Sequence, residues 1–199
     1  MTTTRKVTDG VAARNQILDA AEELFYFEGS RTSGVDAIVK KAGVNKMSLY
    51  RQFESKDDLL RQYLDRRDET FWRYINGSLD QHPGQPRKQL EQLFDDLSRR
   101  TQVENYRGCP FVNIAVEYPD REHFARQRVA QNKAGLLARL TELAAAAGAQ
   151  NAAALGAALA LLIEGTYAGS QTYAPGNPLL PILPQVARTV MDAAINKAA

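Results

Sequence analysis

The residues best equipped for chemistry lie close together in GVNKMSLYRQF, positions 43–53. Lys46 and Arg51 are cations, Ser48 and Gln52 are hydrogen-bonding side chains, and no acid stands among them. On a helix, Ser48 and Arg51 are three positions apart and share a face, flanked by Lys46, Met47 and Gln52. Side chains of these types suit base edges in a major groove and the phosphates beside it. The charge distribution agrees. Residues 1–56 hold 9 Lys+Arg against 7 Asp+Glu, whereas 57–199 hold 16 of each. Between Lys40 and Lys56 there are five bases and one acid, Glu54. Local basic surface attracts phosphate, and the total of +2 merely modulates that. A run this short is equally what a solvated helix face looks like.

Other chemistries lack their parts. The two histidines are His82, in a Pro-Gly turn, and His123. No Cys/His spacing suits a metal, and no glycine-rich phosphate loop occurs. Neither an enzyme nor a cofactor or metal is expected. The single cysteine, Cys109, cannot form an internal disulfide, which fits a reducing cytoplasm. It stands before Pro110, near a helix start and Arg107, a setting that suits a reactive, sensing thiol. A small buried side chain fits the same position. A hydrophobic content of 44% with 24% charged residues is ordinary for a globular protein. No run of about 18 apolar residues is found, so no membrane span is expected. The start, MTTTRKVTDG, lacks the apolar core of a secretory signal.

The elements that must position these residues read as helices throughout. Ile17, Ala20, Ala21, Leu24 and Phe25 recur at three- and four-residue spacing, and Gly29 ends that helix. In TSGVDAIVKKAG, Ser33 is placed to cap the next helix, with Asp36 at capping-box distance and Gly43 as the stop. Asn45 caps a helix from Lys46 to about Phe53, with Leu49, Tyr50 and Phe53 on its inner side. Ser55 caps a longer helix, to about Leu79, that opens with Asp57 and Asp58. Two short helices joined by a glycine turn, behind a supporting helix, make a helix-turn-helix.

QHPGQPRKQ is a turn before a helix from Arg87 to about Val103. RGCPFVNIAVEYPD is a short helix bounded by Pro110 and Pro119. Longer patterns follow over Arg121 to about Ala147, then through the Ala/Gly-rich NAAALGAALALLIEGTYAGSQTYA, and finally past APGNPLLP. The chain is expected to be all-α. A three-helix helix-turn-helix domain takes residues 1–58, and a larger helical domain takes 59–199.

ILDAAEELFYFEG followed by TSGVDAIVKKAGVNKMSLYRQFESKDDLL resembles the N-terminal domain of the TetR family of transcriptional regulators. The likeness covers roughly residues 17–60, and its AGV, LY and F-x-S-K-x-x-LL elements are more specific than a generic helix-turn-helix. Many members carry Gly where this chain has Met47. The resemblance implies a homodimer, a helical C-terminal domain, and binding to double-stranded operator DNA that a small-molecule inducer releases. The residues expected at DNA are Thr32, Ser33, Val35, Asn45, Lys46, Met47, Ser48, Tyr50, Arg51, Gln52 and Lys56. Tyr50 and Lys56 are assigned to phosphate because matching positions reach it in similar regulators; Tyr50 beside Leu49 also suits core packing.

By the same resemblance, GCPFVN lies where related regulators place ligand and transmit its effect. Phe71, Trp72 and Ile75 on one helix, Tyr106, Cys109, Phe111, Val112, Asn113 and Glu117 around the short helix, and Tyr167 form the expected ligand set. Aromatics with a few polar groups suit a pocket, and they suit a plain core as well. Gly156, Ala160 and Gly165, with Leu155, Leu159 and Leu162 between them, let helices approach closely, so the last two helices are expected to form the dimer as a four-helix bundle. A buried intrachain helix gives the same pattern. The functional alternative to a ligand-released repressor is a helical small-molecule-binding or interaction protein without operator recognition. Lys46, Arg51 and Lys56 favour the repressor.

Overall fold

The structure, a computed structural model, describes residues 3–195. Among them every regular element is an α-helix: α1 (Thr3–Phe27), α2 (Val35–Ala42), α3 (Lys46–Gln52), α4 (Lys56–Leu79), α5 (Pro86–Thr101), α6 (Pro110–Glu117), α7 (Phe124–Ala146), α8 (Ala152–Thr172) and α9 (Leu183–Ile195). The helix ends follow from local chemistry. Gly29 (φ 94°) and Gly43 (φ 67°) take the left-handed conformation that ends α1 and α2. Asn45 caps α3 by accepting from Ser48 N at 2.8 Å. Ser55 Oγ accepts from Asp58 N at 3.1 Å at the start of α4, while Asp58 Oδ2 takes Glu54 N.

Ser33 does not cap α2. Gly34 is the N-cap residue, without a side-chain bond, and Ser33 Oγ donates instead to Gly29 O at 2.7 Å. The α1–α2 turn needs that hydroxyl for its own carbonyl. Tyr50 is not on the inner side of α3 either. Leu49 (0% exposed) and Phe53 (1%) face inward, and one step of about 100° from Leu49 turns Tyr50 out to 55% exposure.

The chain forms two compact units. One comprises the residues through Glu69 together with Asn113–Val129; the other comprises Thr70–Val112 and the residues from Ala130 on. The first unit therefore takes in the end of α6 and the start of α7 together with α1–α3 and the first part of α4. Its core joins Ile17, Ala21, Phe25, Ile38, Leu49, Phe53, Leu60 and Tyr63. Phe25 meets Tyr63 edge-on at 5.3 Å. Arg67 and Arg66 of α4 pair with Glu22 of α1 at 2.9 and 3.4 Å, and Arg128 pairs with Asp65 and Asp68 at 3.1 and 3.0 Å.

In the second unit α5 packs on α8 and α9. Leu90, Leu93, Phe94 and Leu97 of α5 are buried with Leu155, Leu159 and Ile163 of α8 and Ala187 and Met191 of α9. Arg188 donates to both oxygens of Asp95 at 2.8 Å, and Ser98 Oγ donates to Leu180 O at 2.8 Å. Gly156 lets α8 lie against α7: a Cβ there would meet the Thr141 Cα and N at 2.9 Å. Among the described residues, α8 is the one helix that by length and composition could cross a membrane, at a mean hydropathy of 1.4, although the sequence offers no uninterrupted apolar run of about 18 residues. Only 39% of that apolar window is buried within the chain. Leu155 and Leu159 are spent inside the unit, and the outward stripe is Ala154, Ala157, Leu161, Gly165 and Ala168.

Candidate nucleic-acid interface

The surface around α3 collects the predicted DNA residues in one unit. Leu49 and Phe53 anchor the helix, so Lys46, Met47, Tyr50 and Arg51 stand outward. Met47 is 64% exposed, and Arg51 Nη2 lies 3.3 Å from its sulfur, one helical turn away. Ser48 and Gln52 are half-buried on the flanks. Asn45 is exposed, with its side-chain oxygen committed to the cap.

Two of the cations are already engaged. Lys46 Nζ sits 2.7 Å from Asp36 Oδ1 of α2, and that hydrogen bond raises the lysine pKa further. Lys56 Nζ donates to Arg31 O at 3.3 Å, and partial burial lowers its pKa. Thr32 is exposed beside it. Val35 opens α2 half-buried. Ser33 is 2% exposed, so its side chain belongs to the turn rather than to the surface.

The end of α6 is hooked to the α1–α2 turn within the same unit. Glu117 Oε2 accepts from the buried Ser30 Oγ at 2.8 Å and from Arg31 N at 2.9 Å. Arg31 Nη1 donates to Glu117 O at 3.1 Å. The Tyr118 hydroxyl lies 3.1 Å from Ser30 Oγ, and its ring stacks on His123 at 4.5 Å. Burial raises the Tyr118 phenol pKa. Gly29 makes room for this hook, since a Cβ there would lie 3.4 Å from Glu117 Oε1. Ser30 and Arg31 carry no sequence signal for it; they lie 87 and 86 residues from their partner.

The ten residues expected at ligand divide between the units. Asn113 and Glu117 lie in the first; the other eight lie in the second. There Phe71 meets Trp72 at 5.4 Å and Phe111 at 6.2 Å, both edge-on. Phe71, Ile75, Cys109, Phe111 and Tyr167 are buried, and Trp72 and Val112 are half-buried. Trp72 packs on α7 where Gly135 leaves space: a Cβ there would come within 3.0 Å of its ring. Tyr106 lines a cavity of about 470 Å³ together with Val103, Asn105, Tyr173, Pro175 and Leu180.

Lys133 and Glu164 escaped the sequence reading. Lys133 Nζ bonds Glu164 Oε1 at 2.7 Å, lies 3.6 Å from Cys109 Sγ and stands 5.1 Å from the Tyr167 ring centre. Burial pushes the Tyr167 phenol pKa well above its ordinary value. Separations of 24 and 31 residues carry no periodic signal that would have brought this group together. Among the described residues no cluster of His, Cys, Asp or Glu could hold a metal ion.

An exposed, basic recognition-type helix within a three-helix domain, joined to a larger all-helical unit, is shared with known proteins. The family model of bacterial regulatory proteins of the tetR family matches residues 17–63, and the tetracyclin repressor-like C-terminal domain matches residues 84–174. A TetR-family transcriptional regulator of Streptomyces coelicolor is 28% identical, with a TM-score of 0.87 over 92% of this chain and 96% of that one. A TetR-type regulator of Streptomyces avermitilis is 30% identical, with a TM-score of 0.79 over 92% and 97%. Curated relatives align over less of their length. A helix-turn-helix regulator of Lactococcus lactis is 24% identical over 65% of this chain and 66% of its own. The regulator TtgR of Pseudomonas putida is 30% identical over 52% and 54%. With both halves matched and the helix-turn-helix in place, the chain belongs to the TetR family of bacterial transcriptional regulators.

Proposed function

We propose that this regulator is a repressor that binds operator DNA as a homodimer and is released by a small molecule. The observation that carries the DNA reading is the outward face of α3, where Met47, Tyr50 and Arg51 are exposed over a buried Leu49–Phe53 anchor. The helix enters the major groove with Arg51 on a base edge, while Tyr50, Thr32 and Lys56 meet phosphates. CifR, a TetR-family regulator with a similar fold at 20% identity, has been solved with a 26-base-pair operator duplex. Selection from random duplexes, followed by titration, tests the reading. Arg51→Ala is expected to relax preference at one position and to cost about 1–3 kcal/mol. An unchanged binding profile would remove Arg51 from the interface.

The dimer reading rests on the unpartnered apolar stripe of α8, Ala154, Ala157, Leu161, Gly165 and Ala168, which a second copy would cover. Leu161, 73% exposed, is the side chain to charge. Leu161→Glu is expected to sediment as a monomer; an intact dimer would move the interface elsewhere. A dimer also supplies two recognition helices for half-sites about 34–36 Å apart.

The inducer is taken by the C-terminal unit, residues 70–112 and 130 onward, against the aromatics of α4 and α6. It is largely apolar, with one or two polar groups. Both helices carry residues of each unit, so a shift in one end is passed along a continuous helix to the other. The ligand must favour the DNA-incompetent form, and a coupling of about 1–3 kcal/mol changes operator affinity about 5–150-fold. Operator titration with and without a compound that quenches Trp72 tests this, and equal affinities would leave a constitutive DNA binder. The regulator acts in the cytoplasm, without catalysis and without a cofactor.

A further inference from the structure

The DNA reading leaves open which base is read by the first turn of α3, the part of a recognition helix that approaches base edges. Two of its polar groups are occupied. Asn45 Oδ1 holds the helix cap, and Lys46 Nζ holds Asp36. Ser48 is half-buried. The large side chain that projects from this turn is Met47, 64% exposed, with a flexible thioether chain that carries no donor. Its sulfur already lies against Arg51 Nη2 at 3.3 Å, so its terminal methyl and methylenes are what remain for a partner. The major groove presents a single apolar feature on its base edges, the C5-methyl group of thymine.

We propose that Met47 reads the C5-methyl of one thymine in each operator half-site, on the base pair next to the guanine taken by Arg51. The pairing follows from their placement: Met47 and Arg51 stand one helical turn apart on the same exposed face, with sulfur and guanidinium in contact at 3.3 Å, so the two side chains reach neighbouring base pairs. Arg51 offers a bidentate donor pair to guanine O6 and N7, and Met47 covers the adjacent methyl. A glycine at this position would leave that methyl in water. The operator of this regulator is therefore specified at a base pair that a glycine-bearing recognition helix ignores.

This inference rests on the DNA-binding reading above, and its test separates the two. The operator is first selected from random duplexes. Each thymine of a half-site is then replaced by deoxyuridine, which lacks only the methyl group. Wild-type protein is expected to lose about fourfold in affinity at one thymine per half-site and about 15-fold when both half-sites are changed, as burial of one methyl-sized group each gives. Met47→Ala is expected to bind thymine and deoxyuridine duplexes alike, and Met47→Leu to retain the discrimination. Met47 is exposed, so the alanine variant keeps its fold, which circular dichroism verifies. Specific binding with no deoxyuridine effect, or an effect that persists in Met47→Ala, overturns the proposal and leaves operator binding standing. Failure to select any duplex overturns both.

Discussion

Glu117→Ala should loosen the N-terminal unit at the point where the end of α6 grips the α1–α2 turn. The substitution deletes two bonds to an ionised acceptor, from Ser30 Oγ at 2.8 Å and Arg31 N at 2.9 Å. Bonds to charged groups contribute about 1.5–3 kcal/mol each when desolvated. Here the Arg31 amide is near the surface and water replaces much of that bond, while Ser30 keeps the Tyr118 hydroxyl at 3.1 Å. The third link, Arg31 Nη1 to Glu117 O, runs through the backbone and survives the substitution. The expected loss is therefore about 2 kcal/mol, with a fall in Tm of roughly 4–8 °C for a chain of this size. Glu117→Gln keeps one acceptor oxygen without the charge and should lose about half as much. Scanning calorimetry at fixed protein concentration reads all three proteins. A Glu117→Ala Tm within 1 °C of wild type would refute the hook as a stabilising contact.

Three further outcomes are expected. Gly156→Ala should destabilise by about 1–2 kcal/mol, because overpacking against the Thr141 backbone at 2.9 Å outweighs the better helix propensity of alanine. Gly77→Ala, with nothing within 4 Å, should stabilise by about 0.5–1 kcal/mol; urea midpoints that rank the pair the other way would refute the packing argument. Burial raises the Tyr63 pKa to about 12, so between pH 10 and 12 the unfolded chain sheds a proton that the folded chain keeps, and stability should fall by about 1.4 kcal/mol per pH unit. In Tyr63→Phe that slope should flatten between pH 10 and 12; an identical slope in urea titrations would place the alkaline sensitivity elsewhere.

The parts of the fold that depend on neighbours in sequence were legible. Gly29, Gly43, Asn45, Ser55 and Pro110 punctuate the helices through their own backbone or side-chain chemistry, and their helices begin and end where the residues indicate. Ser33 shows the limit of that approach: its hydroxyl had two acceptable local uses, and the turn took it from the helix. Tyr50 shows another, since one residue of rotation separates core from surface on a seven-residue helix. The Glu117 hook and the Lys133–Glu164 pair were out of reach because each joins residues brought together only by packing. A pattern of aromatics, likewise, states that Phe71 and Phe111 are large and apolar, not whether a ligand or each other will face them.

The Asp36–Lys46 pair has a consequence for how binding responds to salt. A free lysine arriving at DNA displaces a condensed counterion from the duplex, and each such release steepens the fall of log K with log salt by about 0.9. Lys46 arrives with a carboxylate of its own chain 2.7 Å from its nitrogen. Asp36 acts as a tethered counter-charge: a phosphate that takes Lys46 must compete with it, and the carboxylate offsets the charge that the lysine brings to the duplex. Affinity for the operator should then be less sensitive to ionic strength than a count of basic residues around α3 suggests, and Asp36→Asn should restore the missing increment of slope.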